Sequence, residues 1–217
     1  DAFVIDHLAA GQPLSSVTAG LAGALGVLSR LLPMTDDPVA TVVSTPAGDL
    51  AFQDYFVGRR QQDEVLGVRF AGVERASPAP GLLDAIATAG AVIVCPSNPF
   101  VSVAPILAVP GIRDAIRRSP APVVAVSPIV GGNAIKGPAG KMLASLGHEQ
   151  SALGVARLYA GLADAFVIDH LAAGLAPAIE ALGMRPLVTT AIMGDADSRA
   201  RLAAETLALA TPGAAAR

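Results

Sequence analysis

Two short segments carry the residue types that could hold an anionic ligand. One reads GGNAIKGPAGK (131–141) and combines glycines with two lysines, and the other, PSNP (96–99), supplies a serine and an asparagine. Glycine allows backbone N–H groups to turn towards an anion, and lysine adds a full positive charge. A phosphate or diphosphate is therefore the ligand that these residue types favour. The residues that we predict to bind it are Ser97, Asn98, Ser127, Gly131, Gly132, Lys136 and Gly137.

Neither segment matches the common nucleotide-binding motifs. No Gly-Lys-Ser/Thr sequence opens the following helix, and the dinucleotide pattern G-x-G-x-x-G does not occur there. A glycine-rich segment after a strand is equally compatible with a tight turn whose lysines face solvent. Phosphate binding and a plain turn therefore both stay open on these residues alone, with Lys141 a weaker candidate for a phosphate contact than Lys136.

Three carboxylates also stand at places where they could act. Asp36 and Asp37, in LLPMTDDPV, could assist a metal or an acceptor substrate, so we predict a catalytic contribution from them. Asp-Asp-Pro is also a common turn and helix-entry sequence. Asp169, at the end of AFVID, could bind a ribose or a metal, or could cap a helix. We expect the single cysteine, Cys95, to be a small buried apolar residue rather than a nucleophile.

The elements that must position these residues alternate between strand and helix from residue 81 onwards. Apolar runs at 91–95, 123–127, 165–169 and 186–190 predict strands buried on both faces, with helical spacing between them. This alternation is typical of an α/β fold with a mostly parallel sheet and helices on both faces. Such sheets bind ligands at the carboxyl ends of their strands, which is where both candidate segments fall. Nearer the N-terminus, the runs VATVVST and DLAFQDYFV around PAG predict a hairpin or another strand-turn-strand unit.

Composition excludes several classes of function. The 217 residues are 53% hydrophobic and 15% charged, which is not the composition of a disordered chain. A net charge of −3 and scattered aromatic residues argue against a nucleic-acid partner. No apolar stretch reaches the roughly 18 residues of a membrane span, and no signal-peptide pattern occurs. We therefore expect no membrane partner and a cytoplasmic location, which a single cysteine also suits.

Five segments resemble the 2-phospho-L-lactate transferase family, which includes the actinobacterial phosphoenolpyruvate transferase of coenzyme F420 synthesis. They are LLPMTDDPV, FQDYFVGRR, CPSNPFVSVAPILAVPGIRDAI, VSPIVGGNAIKGPAGKML and FVIDH, and the similarity runs from about Pro13 to about Ala208. The resemblance implies a Rossmann-like fold. It also implies a transferase that passes the phospho-acid half of a guanylylated donor to the deazaflavin Fo, releasing GMP, with Mg²⁺ as the cofactor. The donor carries either lactate or enolpyruvate, and a homodimer is the assembly we expect.

In that family the predicted loops would hold the guanosine diphosphate part of the donor, with Lys136 as the main cation. The family pattern normally begins with a strand, a Gly-Gly-Thr-Gly-type loop and an acidic region that contacts the metal and the deazaflavin, and this chain shows none of these. We therefore expect an N-terminally truncated member that lacks the first βα unit and the usual metal ligands. A catalytically inactive nucleotide-binding domain is the alternative function.

The eleven residues DAFVIDHLAAG occur twice, at 1–11 and at 164–174. Only the second copy is continuous with the family pattern. We interpret 1–11 as a misplaced duplicate, 12–209 as the transferase-family domain and 210–217 as a frayed tail. The first copy could replace the missing strand or form a loose arm, and we expect it to pack less well than the second.

Overall fold

A four-stranded parallel sheet forms the centre of the fold. The computed structural model describes residues 2–134 and 137–211. The strands are β1 (Ala40–Thr45), β2 (Gly48–Ala51), β3 (Gly67–Ala71), β4 (Val92–Val94), β5 (Val123–Val126), β6 (Ile129–Val130), β7 (Asn133–Ala134), β8 (Ala165–Asp169) and β9 (Arg185–Thr189). The central sheet has the order β4-β5-β8-β9, and each neighbouring pair is parallel. This confirms the prediction that four apolar runs share one parallel sheet.

Helices pack on both faces of the central sheet. The helices of the described residues are α1 (Ala2–Ala9), α2 (Leu14–Ala24), α3 (Leu82–Ala87), α4 (Ala104–Ala108), α5 (Ile112–Arg118), α6 (Ala139–Ser145), α7 (Ala152–Tyr159), α8 (Ala176–Glu180) and α9 (Ala196–Ala210). Side chains of α3 to α9 join the apolar clusters on the two faces of the sheet. Side chains of β5 alternate between the faces: Val123 and Ala125 join the core that contains α4, α5, α7 and α8, whereas Val124 and Val126 pack with Leu202 of α9. The predicted Rossmann-like α/β fold is therefore the observed one.

An antiparallel sheet of three strands, β2-β1-β3, precedes the central sheet in the chain. Its β1–β2 hairpin confirms the prediction around PAG, although residues Asp54–Gly58 form a π-helical turn rather than continuing the strand. Val43 of this sheet packs in one cluster with Tyr55 and with Met142 of α6. The antiparallel sheet is thereby connected to the helix that follows the glycine-rich segment.

The first copy of the repeated segment forms helix α1, so it does not provide an additional strand. No residue of α1 is buried, whereas every residue of β8, whose letters AFVID match residues 2–6, is buried. This confirms the expectation that the first copy packs less well. The interpretation of residues 1–11 as a misplaced duplicate stays a prediction. Most of the predicted tail, residues 212–217, lies outside the described residues.

Within residues 2–134 and 137–211, no single helix is both long enough and apolar enough to cross a membrane. One pair, Pro99–Ala108 with Ile112–Arg118, meets the criteria of length and composition jointly, but the two parts are bent by 83°. The absence of a membrane partner stays a prediction.

We expect Tyr55→Phe to raise the free energy of unfolding by about 1 kcal/mol. The Tyr55 side chain is fully buried, and its hydroxyl has no hydrogen-bond partner among the described residues. Burial raises the pKa of this phenol, and the nearby Asp63 carboxylate adds to the effect. A buried polar group without a partner costs ~1–3 kcal/mol, and phenylalanine removes that cost while keeping the ring. Urea denaturation measures the change, and a loss of stability would contradict the assignment.

Candidate active site

A cavity of about 280 Å³ opens at the carboxyl ends of β4, β5 and β9. This is the edge at which a parallel α/β sheet binds ligands, and the volume is close to the lower limit of small-molecule sites, ~300 Å³. The residues that line the cavity are Pro96, Asn98, Ser127, Pro128, Ala139, Ala191, Ile192 and Met193. The structure thus brings the PSNP segment together with the end of β5, as the sequence predicts.

Asn98 shapes the first wall of the cavity by holding the turn after β4. Its Oδ1 accepts hydrogen bonds from the backbone N–H groups of Phe100 at 2.9 Å and Val101 at 3.3 Å, which caps the helical turn Pro99–Val103. Its Nδ2 lies 3.3 Å from the sulfur of Met142 in α6. The side chain therefore fixes the turn on α6, and the neighbouring Ser97 is half-buried and does not line the cavity.

Ser127 forms the second wall, directly after β5. It is buried, and its Oγ donates to the carbonyl of Ile129 at 3.1 Å and accepts from the Ile129 N–H, also at 3.1 Å. The hydroxyl thus closes a tight turn that directs the chain into the glycine-rich segment. The small side chain leaves the cavity open at this point.

The third wall is the loop after β9, of which Ala191, Ile192 and Met193 line the cavity. None of these residues was among the predicted site residues, because their side chains carry no charge or hydrogen-bonding group. The available signal was positional: the loop follows the fourth predicted strand, at the same edge of the sheet as the other two.

The glycines of the second segment adopt backbone conformations that favour glycine. Gly131, Gly132 and Gly137 have φ angles of +57°, +80° and +75°. The carbonyl of Gly132 accepts a hydrogen bond from Nε2 of Gln150 at 3.1 Å. None of the three glycines lines the cavity, although Ala139, which follows Gly137 closely, does. Lys136 lies outside the described residues, so its role stays a prediction.

The Asp36 and Asp37 carboxylates accept hydrogen bonds from segments that are distant in the sequence. Asp36 accepts from the N–H of Ser15 at 2.6 Å and from its hydroxyl at 2.7 Å, at the start of α2. Asp37 accepts from the Ser77 N–H at 2.8 Å. Neither residue lines the cavity. Their predicted catalytic contribution stays a prediction, and the observed contacts support the turn interpretation.

The structure places Lys141 and Cys95 in environments that differ from the predicted ones. The ammonium group of Lys141 donates to the backbone carbonyls of Gln61, at 2.8 Å, and Gln62, so it braces α6 against the loop after the π-helical turn. Cys95 is exposed, and the expectation that it is buried is wrong. The reason is that β4 ends at Val94, which leaves Cys95 in the loop beyond the strand.

The described residues supply no cluster of three or more His, Cys, Asp and Glu side chains that could hold a metal ion. Asp36 and Asp37 are the adjacent carboxylates that we predicted to act, and both accept hydrogen bonds from the chain itself. This part of the chain therefore does not fit a Mg²⁺ site by itself, and the magnesium prediction stays a prediction.

Solved structures with similar folds come from Bacillus halodurans. Protein BH3568 of this organism superimposes with a TM-score of 0.67 at 16% identity, over 95% of this chain and 70% of that chain. A second crystal structure of BH3568, described as a member of the UPF0052 family, gives a TM-score of 0.64 at 15% identity. At this level of identity the likeness supports the fold alone.

Relatives with closer sequences are transferases. The phosphoenolpyruvate transferase of Streptomyces griseus is 43% identical over 94% of this chain and 65% of its own length. The 2-phospho-L-lactate transferase of Methanosarcina barkeri is 37% identical over 91% of this chain and 63% of its own length. The chain thus spans somewhat less than two thirds of these relatives. The model of the family "2-phospho-L-lactate transferase CofD" matches residues 4–180, and the chain belongs to this family.

Proposed function

We propose that this chain is the guanosine-diphosphate-binding part of a transferase of coenzyme F420 biosynthesis. The enzyme moves a phosphoenolpyruvyl or 2-phospho-L-lactyl group from a guanylylated donor to the deazaflavin Fo and releases GMP. The names of its transferase relatives support the reaction class. The observation that carries the proposal is the cavity at the carboxyl ends of β4 and β5, which is lined by Asn98 of the PSNP segment and by Ser127, which precedes the glycine-rich segment. Both are among the residues predicted to hold a diphosphate.

The proposed reaction replaces the phosphoanhydride bond of the donor with a phosphodiester bond to the acceptor. A hydroxyl oxygen of Fo attacks the phosphorus of the phospho-acid, the bridging P–O bond of the diphosphate breaks, and GMP leaves with the electron pair of that bond. The hydroxyl proton is lost to solvent or to a base. Such a transfer depends on positioning of the reactants and on neutralisation of charge at the phosphates.

The described walls of the cavity would contribute positioning. Asn98 accepts from the backbone N–H groups of Phe100 and Val101, and the Ser127 hydroxyl bonds the backbone of Ile129, so these contacts hold the turns after β4 and β5 in place beside the cavity. Lys136 is the cation that we propose for charge neutralisation. Mg²⁺, Fo, a homodimeric assembly and a cytoplasmic location belong to the same proposal, and we assign no step to the metal.

Calorimetric titration with GDP tests the proposal. We expect the intact chain to bind GDP, and Lys136→Ala to weaken binding about ten- to a hundredfold. Loss of one charge-assisted contact costs ~1.5–3 kcal/mol, which corresponds to that factor. Lys141→Ala is the charge-matched control, because the Lys141 ammonium already binds carbonyl oxygens of the chain.

The full-length Streptomyces griseus relative serves as the positive control in the same buffer. Equal affinities of the intact chain and Lys136→Ala would exclude Lys136 as the main cation. Binding of GDP by the relative but not by this chain would show that the described cavity and its loop are insufficient for the nucleotide.

A further inference from the structure

The loop that forms the third wall of the cavity has no regular secondary structure. It spans residues 190–194, between β9 and α9. Met193 of this loop lines the cavity and also lines an apolar cavity of about 250 Å³ beside α9. The loop therefore separates the proposed nucleotide cavity from an apolar one. Because no helix or sheet holds the loop, side chains from other elements must hold it.

Asp169 contacts this loop from the sheet. Asp169 is the last residue of β8 and is only 4% exposed, and both of its carboxylate oxygens accept hydrogen bonds. Oδ2 accepts from the N–H of Ala191 at 2.9 Å, and Oδ1 accepts from the N–H of Leu171 at 3.0 Å. The second bond caps the helical turn His170–Leu175, as one of the two sequence interpretations predicts. The first bond joins the end of β8 to the wall of the cavity.

Arg201 contacts the same loop from α9. Its Nη2 donates to the carbonyl of Thr190 at 2.5 Å, while Nη1 contacts the Thr189 hydroxyl at 2.9 Å and Glu205 at 3.0 Å. A hydrogen bond from Thr189 lowers the pKa of Glu205, and the contact with Arg201 lowers it further. The ionised Glu205 thus orients the guanidinium group towards the loop.

The two contacts meet on one peptide group. The carbonyl of Thr190 and the N–H of Ala191 belong to the same peptide bond, and Arg201 binds the first while Asp169 binds the second. A peptide bond is planar, so holding both of its polar ends fixes the direction in which the next residues leave. Those next residues are the ones that line the cavity.

We infer that Asp169 and Arg201 are positioning residues of the substrate cavity, which fix its third wall by binding the two polar ends of the Thr190–Ala191 peptide group. This inference rests on the proposed function. It assigns neither residue a contact with the substrate. A wall that shifts by about 1 Å costs substrate binding and orientation, so the contacts act through geometry.

The test begins with Asp169→Asn. An asparagine offers one acceptor oxygen, and its amide group faces the second backbone donor, so one of the two bonds is lost. We expect hydrogen exchange at the Ala191 amide to become at least tenfold faster and the dissociation constant of GDP to rise about tenfold. Asp164→Asn is the matched control, because Asp164 precedes the same strand and its Oδ2 accepts from the Val123 N–H at 2.8 Å, at the opposite end of the sheet. The control should leave both measurements unchanged.

Arg201 provides a second, independent variant in case Asp169→Asn fails to fold. Arg201→Met should raise the GDP dissociation constant about tenfold, whereas Arg201→Lys, which can still donate to the Thr190 carbonyl, should stay within about threefold of the intact chain. If Arg201 only stabilised the fold, variants with equal melting temperatures would bind GDP with equal affinity. Folded Asp169→Asn or Arg201→Met protein with unchanged GDP affinity would overturn the inference.

GDP binding by the intact chain tests the proposed function, and amide exchange tests the inference separately. If the intact chain does not bind GDP, the proposed function fails and the exchange rate of the Ala191 amide decides whether Asp169 holds the loop. Unchanged exchange in Asp169→Asn would overturn the inference by itself.

Discussion

Phe166→Ala is expected to lower the free energy of unfolding by about 3–5 kcal/mol, whereas Phe3→Ala is expected to change it by less than about 1 kcal/mol. The two phenylalanines occupy the same position in the two copies of the eleven-residue repeat. Phe166 is fully buried in β8, with its ring centroid 6.4 Å from that of Tyr159. Phe3 is 39% exposed on α1 and stacks on His7. Removing the Phe166 ring leaves a cavity in the core, whereas water can occupy the space left by the Phe3 ring.

Urea denaturation of both variants, followed by circular dichroism, measures the difference. Because native domains are stable by only ~5–15 kcal/mol, Phe166→Ala removes a large part of the total. The identical flanking letters make Phe3→Ala a control for the change in composition and local propensity. Similar losses from the two variants would contradict the placement of the first copy as an exposed helix.

Gly154→Ala is expected to destabilise the protein by about 3 kcal/mol, although alanine is the better helix former. Gly154 lies in the first turn of α7, where a Cβ atom would come within 1.9 Å of the backbone carbonyl oxygen of Glu149. That carbonyl accepts from the Ser151 N–H at 2.8 Å, so the turn cannot move without losing a bond. Overpacking against backbone costs ~1–3 kcal/mol or more, which exceeds the gain in propensity.

Gly23→Ala provides the matched control, because Gly23 lies in α2 and has nothing within 4 Å of an added Cβ. There the helix propensity should dominate and stabilise the protein by ~0.5–1 kcal/mol. Thermal unfolding of the two variants gives the comparison. A stabilised Gly154→Ala variant would mean that the turn at Glu149 relaxes freely. Because Gln150 follows Glu149, the hydrogen bond from Gln150 Nε2 to the Gly132 carbonyl would then also be displaced.

Much of the architecture could be predicted from local patterns. The β-branched apolar runs around Val92, Val124 and Phe166 are long enough and apolar enough to be buried strands, and helical spacing between them requires parallel crossovers. The rule that ligands bind at the carboxyl ends of such strands then located Asn98 and Ser127, which both line the cavity. The placement of these elements could be predicted because each pattern involves residues that are close together in sequence, whereas ligand binding by Asn98 and Ser127 stays a prediction.

Contacts between residues that are distant in the sequence could not be predicted from local patterns. Asp36 binds Ser15, which is 21 positions away, and Lys141 reaches carbonyls about 80 positions away. Neither partner can be inferred from residue type or spacing. The peptide group held by Asp169 and Arg201 is a further example, because backbone acceptors and donors carry no signal in the sequence.

The repeated segment distinguishes what the local sequence determines from what contacts with distant residues determine. The letters AFVID are apolar and β-branched, and by themselves they determine that the segment can be buried and can form a strand. At 165–169 they form β8 because β5 and β9 lie on either side and satisfy the backbone hydrogen bonds of the strand. At 2–6 no strand of the described part of the chain lies beside them, and a helix satisfies the same backbone groups within the segment. The sequence determined the capacity of these residues, and the neighbouring strands of the tertiary structure decided which conformation they adopt.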